Sequence, residues 1–147
     1  MDWPMLNERL ISSGGNTYFQ RNSNVYNRLP SLAKVKLSIR ESIIVSSVSS
    51  SLLEECALAA LEAEALHVEC DFGPYAFSLL ARGTIDAVVE HNISPQLLLS
   101  IIPILHGVGC VVINWEGRET CSARRIVAAR NKELASEIAT MLTLFSN

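Results

Sequence analysis

The sequence predicts an α/β fold in which a layered sheet is flanked by helices. Short apolar runs rich in Val and Ile alternate with longer segments whose apolar residues recur at helical spacing. Gly and Pro stand between the runs, where one element ends and the next begins. Of the 147 residues, 49% are apolar and 18% charged, which is enough apolar material for a domain core. We expect one α/β domain over residues 1–147, with a hairpin and edge-strand region at 1–40 and an α/β layer at 41–147.

Residues 1–40 are predicted to form a β-hairpin and one further strand. ERLISS and NTYFQ are joined through Gly14 and Gly15, and such a glycine pair is typical of a two-residue hairpin turn. After a polar connection, AKVKLSIR alternates strictly, with Val35, Leu37 and Ile39 on one face. We expect a half-solvated edge strand there, with its basic residues in water.

The next segment predicts alternating strands and helices. ESIIVSSV is expected to be a buried strand before the helix SLLEECALAALEAEAL, which Ser50 or Ser51 could cap. HVECDF follows as a strand, and PYAFSLLARG as a helix that begins at Pro74 and ends at Gly83. TIDAVVE is then a strand that ends on Glu90. This alternation predicts a largely parallel sheet in this half of the chain.

The uncharged run from Leu97 to Trp115 is long enough to permit a membrane-spanning interpretation. Pro103 and the sequence HGVG interrupt it, and its composition changes from helical spacing to the β-branched CVVINW. We therefore prefer a helix, a glycine turn and a buried strand.

The chain continues with a predicted last strand, RRIVAAR, and a terminal helix, NKELASEIATMLTLF, capped by Asn131. Apolar residues at helical spacing are expected to pack this helix on the sheet: Leu134, Ile138, Leu142 and Phe145.

Composition argues against several classes of function. The net charge of −3 offers no basic surface for nucleic acid or an anionic membrane, so neither is an expected partner. The cysteines form no CxxC pair and the histidines are few, so no zinc site is predicted. MDWPMLNERL has an early acid and no apolar segment, which is not typical of a signal peptide. We expect a cytoplasmic protein with small buried thiols: Cys56, Cys70, Cys110 and Cys121.

Three segments carry a resemblance to a known family: YAFSLLARGTIDAVVE, SPQLLLSIIPILHGVGCVVINWEGR and RRIVAARNKELASEIATML. Their patterns are similar to the LLAxGxxDxVxE, PxxxxAG and DWxG motifs in the C-terminal half of the inositol monophosphatase superfamily. Its histidinol-phosphate phosphatase-like and fructose-bisphosphatase-like members are the most similar in character. The resemblance implies the sugar-phosphatase fold and a magnesium-dependent phosphomonoesterase of sugar, inositol or histidinol phosphates.

The resemblance also implies where magnesium ligands should stand, and this sequence departs from that pattern. Family members use a tandem Glu, a DPxDGT-type loop and an Asp seven residues after a strand-end Glu, because Mg²⁺ requires several oxygen ligands. Counted from Glu90, the Asp position holds Leu97, which cannot coordinate a metal. The tandem Glu54 and Glu55 lies inside a predicted helix and is interpreted as solvated surface. We predict no metal-binding or catalytic residue in this chain, and magnesium is an expectation of the family only.

Two residues are candidates for contact with a phosphate-ester substrate. Glu90 keeps the carboxylate with which family members touch substrate hydroxyls, although a polar strand end without a ligand explains it equally well. Gly73 lies in the turn where the family carries a small-residue, substrate-facing motif. Asp86 is expected to be a structural hydrogen-bonding residue. The histidines are expected to be polar surface or satisfied core residues: His67, His91 and His106.

Two hypotheses for function stay open. One is an inositol monophosphatase-family enzyme whose activity is weak or depends on residues outside this chain. The other is a non-catalytic α/β module whose role is association. A sheet face or edge that the absent half of the family fold should cover would favour a homo-oligomer, with a dimer expected.

Overall fold

The computed structural model describes residues 1–47 and 51–146, which form two sheets and four helices. The N-terminal strands are β1 (Asp2–Trp3), β2 (Glu8–Ser13), β3 (Asn16–Arg21) and β4 (Asn27–Arg28). The later strands are β5 (Ile43–Ser46), β6 (His67–Cys70), β7 (Ala87–Glu90), β8 (Val111–Asn114) and β9 (Ile126–Ala129). The helices are α1 (Leu52–Glu64), α2 (Tyr75–Ala81), α3 (Pro95–His106) and α4 (Lys132–Ser146). Strands β1-β2-β3-β4 form the hairpin sheet, and β6-β5-β7-β9-β8, in that order, form the central sheet.

The hairpin sheet confirms the predicted β-hairpin. Strands β2 and β3 pair antiparallel, with Ser13 opposite Asn16. Between them Gly14 and Gly15 have φ angles of 58° and 74°. Two consecutive positive φ angles define the turn that matches the twist of a hairpin, and glycine adopts them without steric cost.

The segment AKVKLSIR is not a strand, so that prediction is wrong. Val35 is 49% exposed, and its carbonyl accepts a hydrogen bond from Nδ2 of Asn131 at 2.9 Å instead of pairing with a strand. At the end of the segment, Ser38 and Glu41 form a capping box around a short 3-10 turn that buries Ile39. These local side-chain hydrogen bonds satisfy backbone groups that a strand would need for its ladder.

The central sheet is mixed. Strand β5 pairs parallel with β6 and β7, whereas β9 pairs antiparallel with both β7 and β8. Four strands therefore run in one direction, as the largely parallel prediction implies, and β9 alone opposes them. Within the described ranges, no helix has both the length and the hydropathy needed to cross a bilayer.

Alternate residues of the central sheet face two different helical layers. Val45 and Val88 pack with α2, α3 and Leu10 of the hairpin sheet, in what we call the first core. Ile44 and Val89 point the other way and pack with α1 and α4, in the second core. The layers therefore succeed one another as hairpin sheet, α2 and α3, central sheet, α1 and α4.

Both predicted helix caps that fall on described residues are present. The Ser51 hydroxyl accepts a hydrogen bond from the amide of Glu54, and the Asn131 side chain accepts one from the amide of Leu134. Ser50, the alternative cap, lies outside the described residues. Along α4 the predicted apolar stripe is buried as far as Leu142, but Phe145 is half exposed. The stripe is therefore confirmed for Leu134, Ile138 and Leu142 and not for Phe145.

The prediction of buried thiols is right for one cysteine only. Cys110 is buried, and burial raises the pKa of its thiol to about 12 because the thiolate would lose its hydration. Cys56, Cys70 and Cys121 are exposed, so their scattered positions did not indicate core packing.

Candidate functional site

Polar side chains gather where the parallel strands β5 and β7 end. β5 ends at Ser46 and is followed by Ser47, and β7 ends at Glu90 and is followed by His91. The amide of Ser47 donates to the carbonyl of Val89 at 2.9 Å, and the amide of His91 donates to the Ser47 hydroxyl at 2.9 Å. The carboxyl ends of parallel strands are where ligands bind in many open α/β sheets, so this edge is the candidate site.

His91 is the centre of a buried cluster at this edge. Its Nε2 lies 3.2 Å from the Ser46 hydroxyl, and its Nδ1 lies 3.5 Å from Oε2 of Glu54 in the first turn of α1. The Trp115 ring meets the imidazole edge to face, with centroids 5.1 Å apart. Burial lowers the pKa of His91, and the Glu54 carboxylate opposes that effect. Of the two expectations for this histidine, the core position is the correct one, since His91 is buried.

The tandem Glu54 and Glu55 was predicted to be solvated surface, and this is wrong for Glu54. Glu55 is exposed, whereas Glu54 is buried beside His91. Helical spacing directs neighbouring residues to different faces, as expected. The sequence gives no signal that one of those faces meets the ends of β5 and β7, because Glu54 and His91 are far apart along the chain.

The two predicted substrate-contacting residues lie at the same end of the central sheet. Glu90 is half buried, and burial raises the pKa of its carboxyl, with a hydrogen bond to Ser47 opposing the rise. Gly73 follows β6 in an exposed turn with a φ of 54°, and a side chain there would meet only open space. Its carbonyl accepts the amide of Ala76 at the start of α2. Contact of either residue with a substrate stays a prediction.

Leu97 lies at the start of α3, at the margin of the first core. The Ser94 hydroxyl caps α3 by accepting the Leu97 amide at 3.2 Å, and the partly buried Leu97 side chain packs against the first core. Among residues 1–47 and 51–146, no three acidic, histidine or cysteine side chains are arranged to hold a metal ion. The groups at this edge therefore do not fit Mg²⁺, which demands near-octahedral oxygen ligands.

Two buried carboxylates outside the site are engaged with basic side chains. Asp86 accepts from the amide of Ile43 at 2.8 Å and pairs with Arg130 at 2.9 Å, which confirms its predicted structural role. Glu8 pairs with Arg21 and accepts from the Tyr75 hydroxyl at 2.8 Å. Burial raises the pKa of Glu8, but these hydrogen bonds outweigh it, so the net shift is downward. Glu8 thus joins the hairpin sheet to α2, whereas Asp86 joins the ends of neighbouring strands within the central sheet.

Comparison of the sequence with known proteins gives one short match. No protein-family model matches the chain. The chloroplastic bifunctional phosphatase IMPL2 of Arabidopsis thaliana is 36% identical over 44 residues, which are 30% of this chain and 13% of that protein.

Comparison of structures extends over most of the chain. An inositol monophosphatase of Zymomonas mobilis superposes with a TM-score of 0.71 at 14% identity, covering 87% of this chain and 53% of its own. An IMPase of Thermotoga maritima gives 0.69 at 14% identity, with 88% and 52% covered. Inositol monophosphatase II of Staphylococcus aureus gives 0.66 at 18% identity, with 89% and 52% covered. The chain spans about half the length of these proteins, and over that half it has the inositol monophosphatase fold, as its sequence motifs predicted.

Proposed function

We propose that this chain is a diverged relative of the inositol monophosphatases that does not hydrolyse phosphate esters by itself and acts by association with a second protein chain. One observation carries the proposal. Leu97 stands where the family resemblance places a metal-binding Asp, and its side chain packs against the first core. A metal ligand at that position would require a different residue.

The chemistry of phosphate ester hydrolysis supports the same conclusion. The charge that develops on a transferring phosphoryl group must be neutralised by a preorganised set of cations. At the carboxyl ends of β5 and β7, the Glu54 carboxylate contacts His91. The buried Asp86 carboxylate lies at the opposite end of β7, where it pairs with Arg130, and separating that buried ion pair would cost about 3–5 kcal/mol.

The hairpin sheet supports association. Ile11 and Tyr18 lie directly opposite each other in β2 and β3, on the face turned away from α3, and both are partly exposed. No layer of the described residues covers that face. The matched proteins are about twice as long as this chain. We propose that a second protein chain covers the surface of this chain that, in those proteins, the other half of the same chain would cover.

Magnesium titration calorimetry and a phosphate-release assay test the proposal. Substrates would be myo-inositol 1-phosphate and histidinol phosphate, with the Zymomonas mobilis protein as the positive control for both measurements. We expect no saturable magnesium heat and no phosphate release above the buffer rate from this chain. Saturable magnesium binding together with turnover would instead support the other candidate, a magnesium-dependent phosphomonoesterase.

Glu90 favours a second role that needs no metal, the binding of a polyol or its phosphate ester. Its half-buried carboxyl lies at the carboxyl end of β7, and the Ser47 hydroxyl holds it. Titration of labelled protein with myo-inositol, followed by amide chemical shifts, should move signals near Glu90 in the wild type. E90Q should abolish the shifts, and equal shifts in both proteins would remove Glu90 from the role.

A further inference from the structure

We infer that β6 is the edge through which two copies of this chain associate, pairing antiparallel about a twofold axis that passes between the two Val68 residues. The inference rests on the proposed association and goes further by naming a second surface, separate from the hairpin sheet, and its partner. In the part of the chain that the structure describes, one backbone edge of β6 has no partner strand, and the side chains of β6 are complementary to those of a second copy.

Strand β6 is an outer strand of the central sheet with one neighbour, β5. The amide of His67 donates to Ser42, and the amide of Asp71 donates to Ser46. Because backbone groups alternate in direction along a strand, those of Val68 and Cys70 point away from β5. At the other edge of the sheet, β8 is partly covered by the chain that follows it.

The coverage of β8 is specific. The amide of Asn114 donates to the carbonyl of Arg118 at 2.8 Å, and Ile113 forms a bridge with Glu119. Among the described residues no segment covers β6 in this way. An uncovered edge with free donors and acceptors is a template for another strand.

The side chains of β6 are complementary to themselves in one register. His67 and Glu69 lie on the same face, with their side chains 57% and 53% exposed and 2.6 Å apart. A twofold axis at Val68 places His67 of each copy opposite Glu69 of the other. These would be non-hydrogen-bonded pairs, in which facing side chains are closest and each imidazole can share a hydrogen bond with the carboxylate opposite.

Neighbouring registers are disfavoured by the same side chains. Moving the axis one residue toward the C-terminus sets Glu69 opposite Glu69 of the second copy, and like charges facing each other are destabilising. Charged residues often protect a sheet edge from pairing. In β6 the spacing of His67 and Glu69 disfavours the register that pairs Glu69 with itself and favours the register that pairs His67 with Glu69.

The opposite face of β6 adds apolar contact. Val68 packs against the second core, and Leu66, on the same side of the strand, is 63% exposed. In the proposed register Leu66 of one copy lies opposite Cys70 of the other, where both would lose contact with water. Because β6 has only four residues, we expect a dimer that forms with increasing concentration.

Sedimentation velocity over a range of concentrations tests the inference. The wild type should rise from 16.1 kDa toward twice that mass. H67E should remain a monomer because the introduced carboxylate faces Glu69 of the second copy. The charge exchange H67E/E69K should restore the dimer, and H106E, a matched change at an exposed histidine outside β6, should dimerise like the wild type.

V68P tests the backbone contact separately. Proline removes the amide that points away from β5, so the dimer should be lost while the circular dichroism spectrum is kept. A wild type that stays monomeric, or H67E and V68P proteins that dimerise like the wild type, would overturn the inference. Dimerisation of the H67E and V68P variants would leave the proposed function intact, because association could then use another surface. Magnesium-dependent turnover would overturn the proposed function without affecting the β6 contact.

Discussion

Nδ1 of His91 lies 3.5 Å from Oε2 of Glu54, and the two residues are only 4% and 9% exposed. The contact joins the end of β7 to the first turn of α1. The Ser46 hydroxyl lies 3.2 Å from the other ring nitrogen, Nε2, and also donates to the carbonyl of Ser47 at 3.0 Å. Burial of the ring favours the uncharged imidazole, and the Glu54 carboxylate opposes that preference.

The burial of His91 predicts a specific loss of stability in acid. Burial lowers the pKa of His91 below its ordinary value of 6.5. The unfolded chain therefore takes up a proton at higher pH than the folded one. The stabilisation is complete above a pH of about 6.5 and decreases as the pH falls toward the folded-state pKa.

Thermal unfolding of wild type and H91Q between about pH 7.5 and about pH 5 measures this effect. Over that pH range the melting temperature of H91Q should decrease less than that of the wild type. H106Q, a change at an exposed histidine, should follow the wild type. Parallel curves for wild type and H91Q would contradict the assignment.

Asp86 is predicted to be far more important for stability than the surface carboxylate Asp2. D86A leaves the almost fully buried Arg130 guanidinium without its carboxylate and the Ile43 amide without its acceptor. The expected loss of unfolding free energy is about 3–5 kcal/mol. D2A removes a half-exposed pair with Arg9 that solvent screens, so its loss of stability should be far smaller. Urea unfolding distinguishes them, and equal losses would show that Asp86 has no such role.

Gly107 is predicted to set the distance between α3 and the hairpin sheet. A Cβ at this position would lie 2.9 Å from the carbonyl carbon of Asn16 and 2.9 Å from the amide nitrogen of Thr17. Its own φ is −63°, so the strain in G107A comes from the collision with β3 and not from the backbone of residue 107. We expect a loss of about 1–3 kcal/mol, as for other overpacked sites.

Hydrogen exchange locates the effect of G107A. Amides of β2 and β3 should exchange faster, while those of β5 and β7 keep their protection. S100A, on an exposed position of the same helix, should change stability by no more than about 0.5 kcal/mol. Unchanged protection in the hairpin sheet would show that α3 can move away without cost.

Local signals predicted most of the secondary structure. Gly14 and Gly15 marked the hairpin turn, Ser51 and Asn131 marked helix starts, and Gly83 marked a helix end, because each acts through its own backbone or its nearest neighbours. AKVKLSIR failed as a strand for a related reason. The segment does alternate, but a strand also needs a neighbouring strand for its backbone hydrogen bonds. Here the side chains of Ser38 and Glu41 form hydrogen bonds with the nearby backbone instead.

The sequence by itself determined the hairpin, the order and type of the elements from β5 onward, and the leucine at residue 97, since these depend on residue identity and short-range periodicity. Only the tertiary structure decided that β9 lies between β7 and β8, that Glu54 is buried against His91, and that β6 is an outer strand of the central sheet. Periodicity specifies that an element has a buried face but not what covers it. That choice depends on contacts between residues far apart in the chain, which local patterns do not encode.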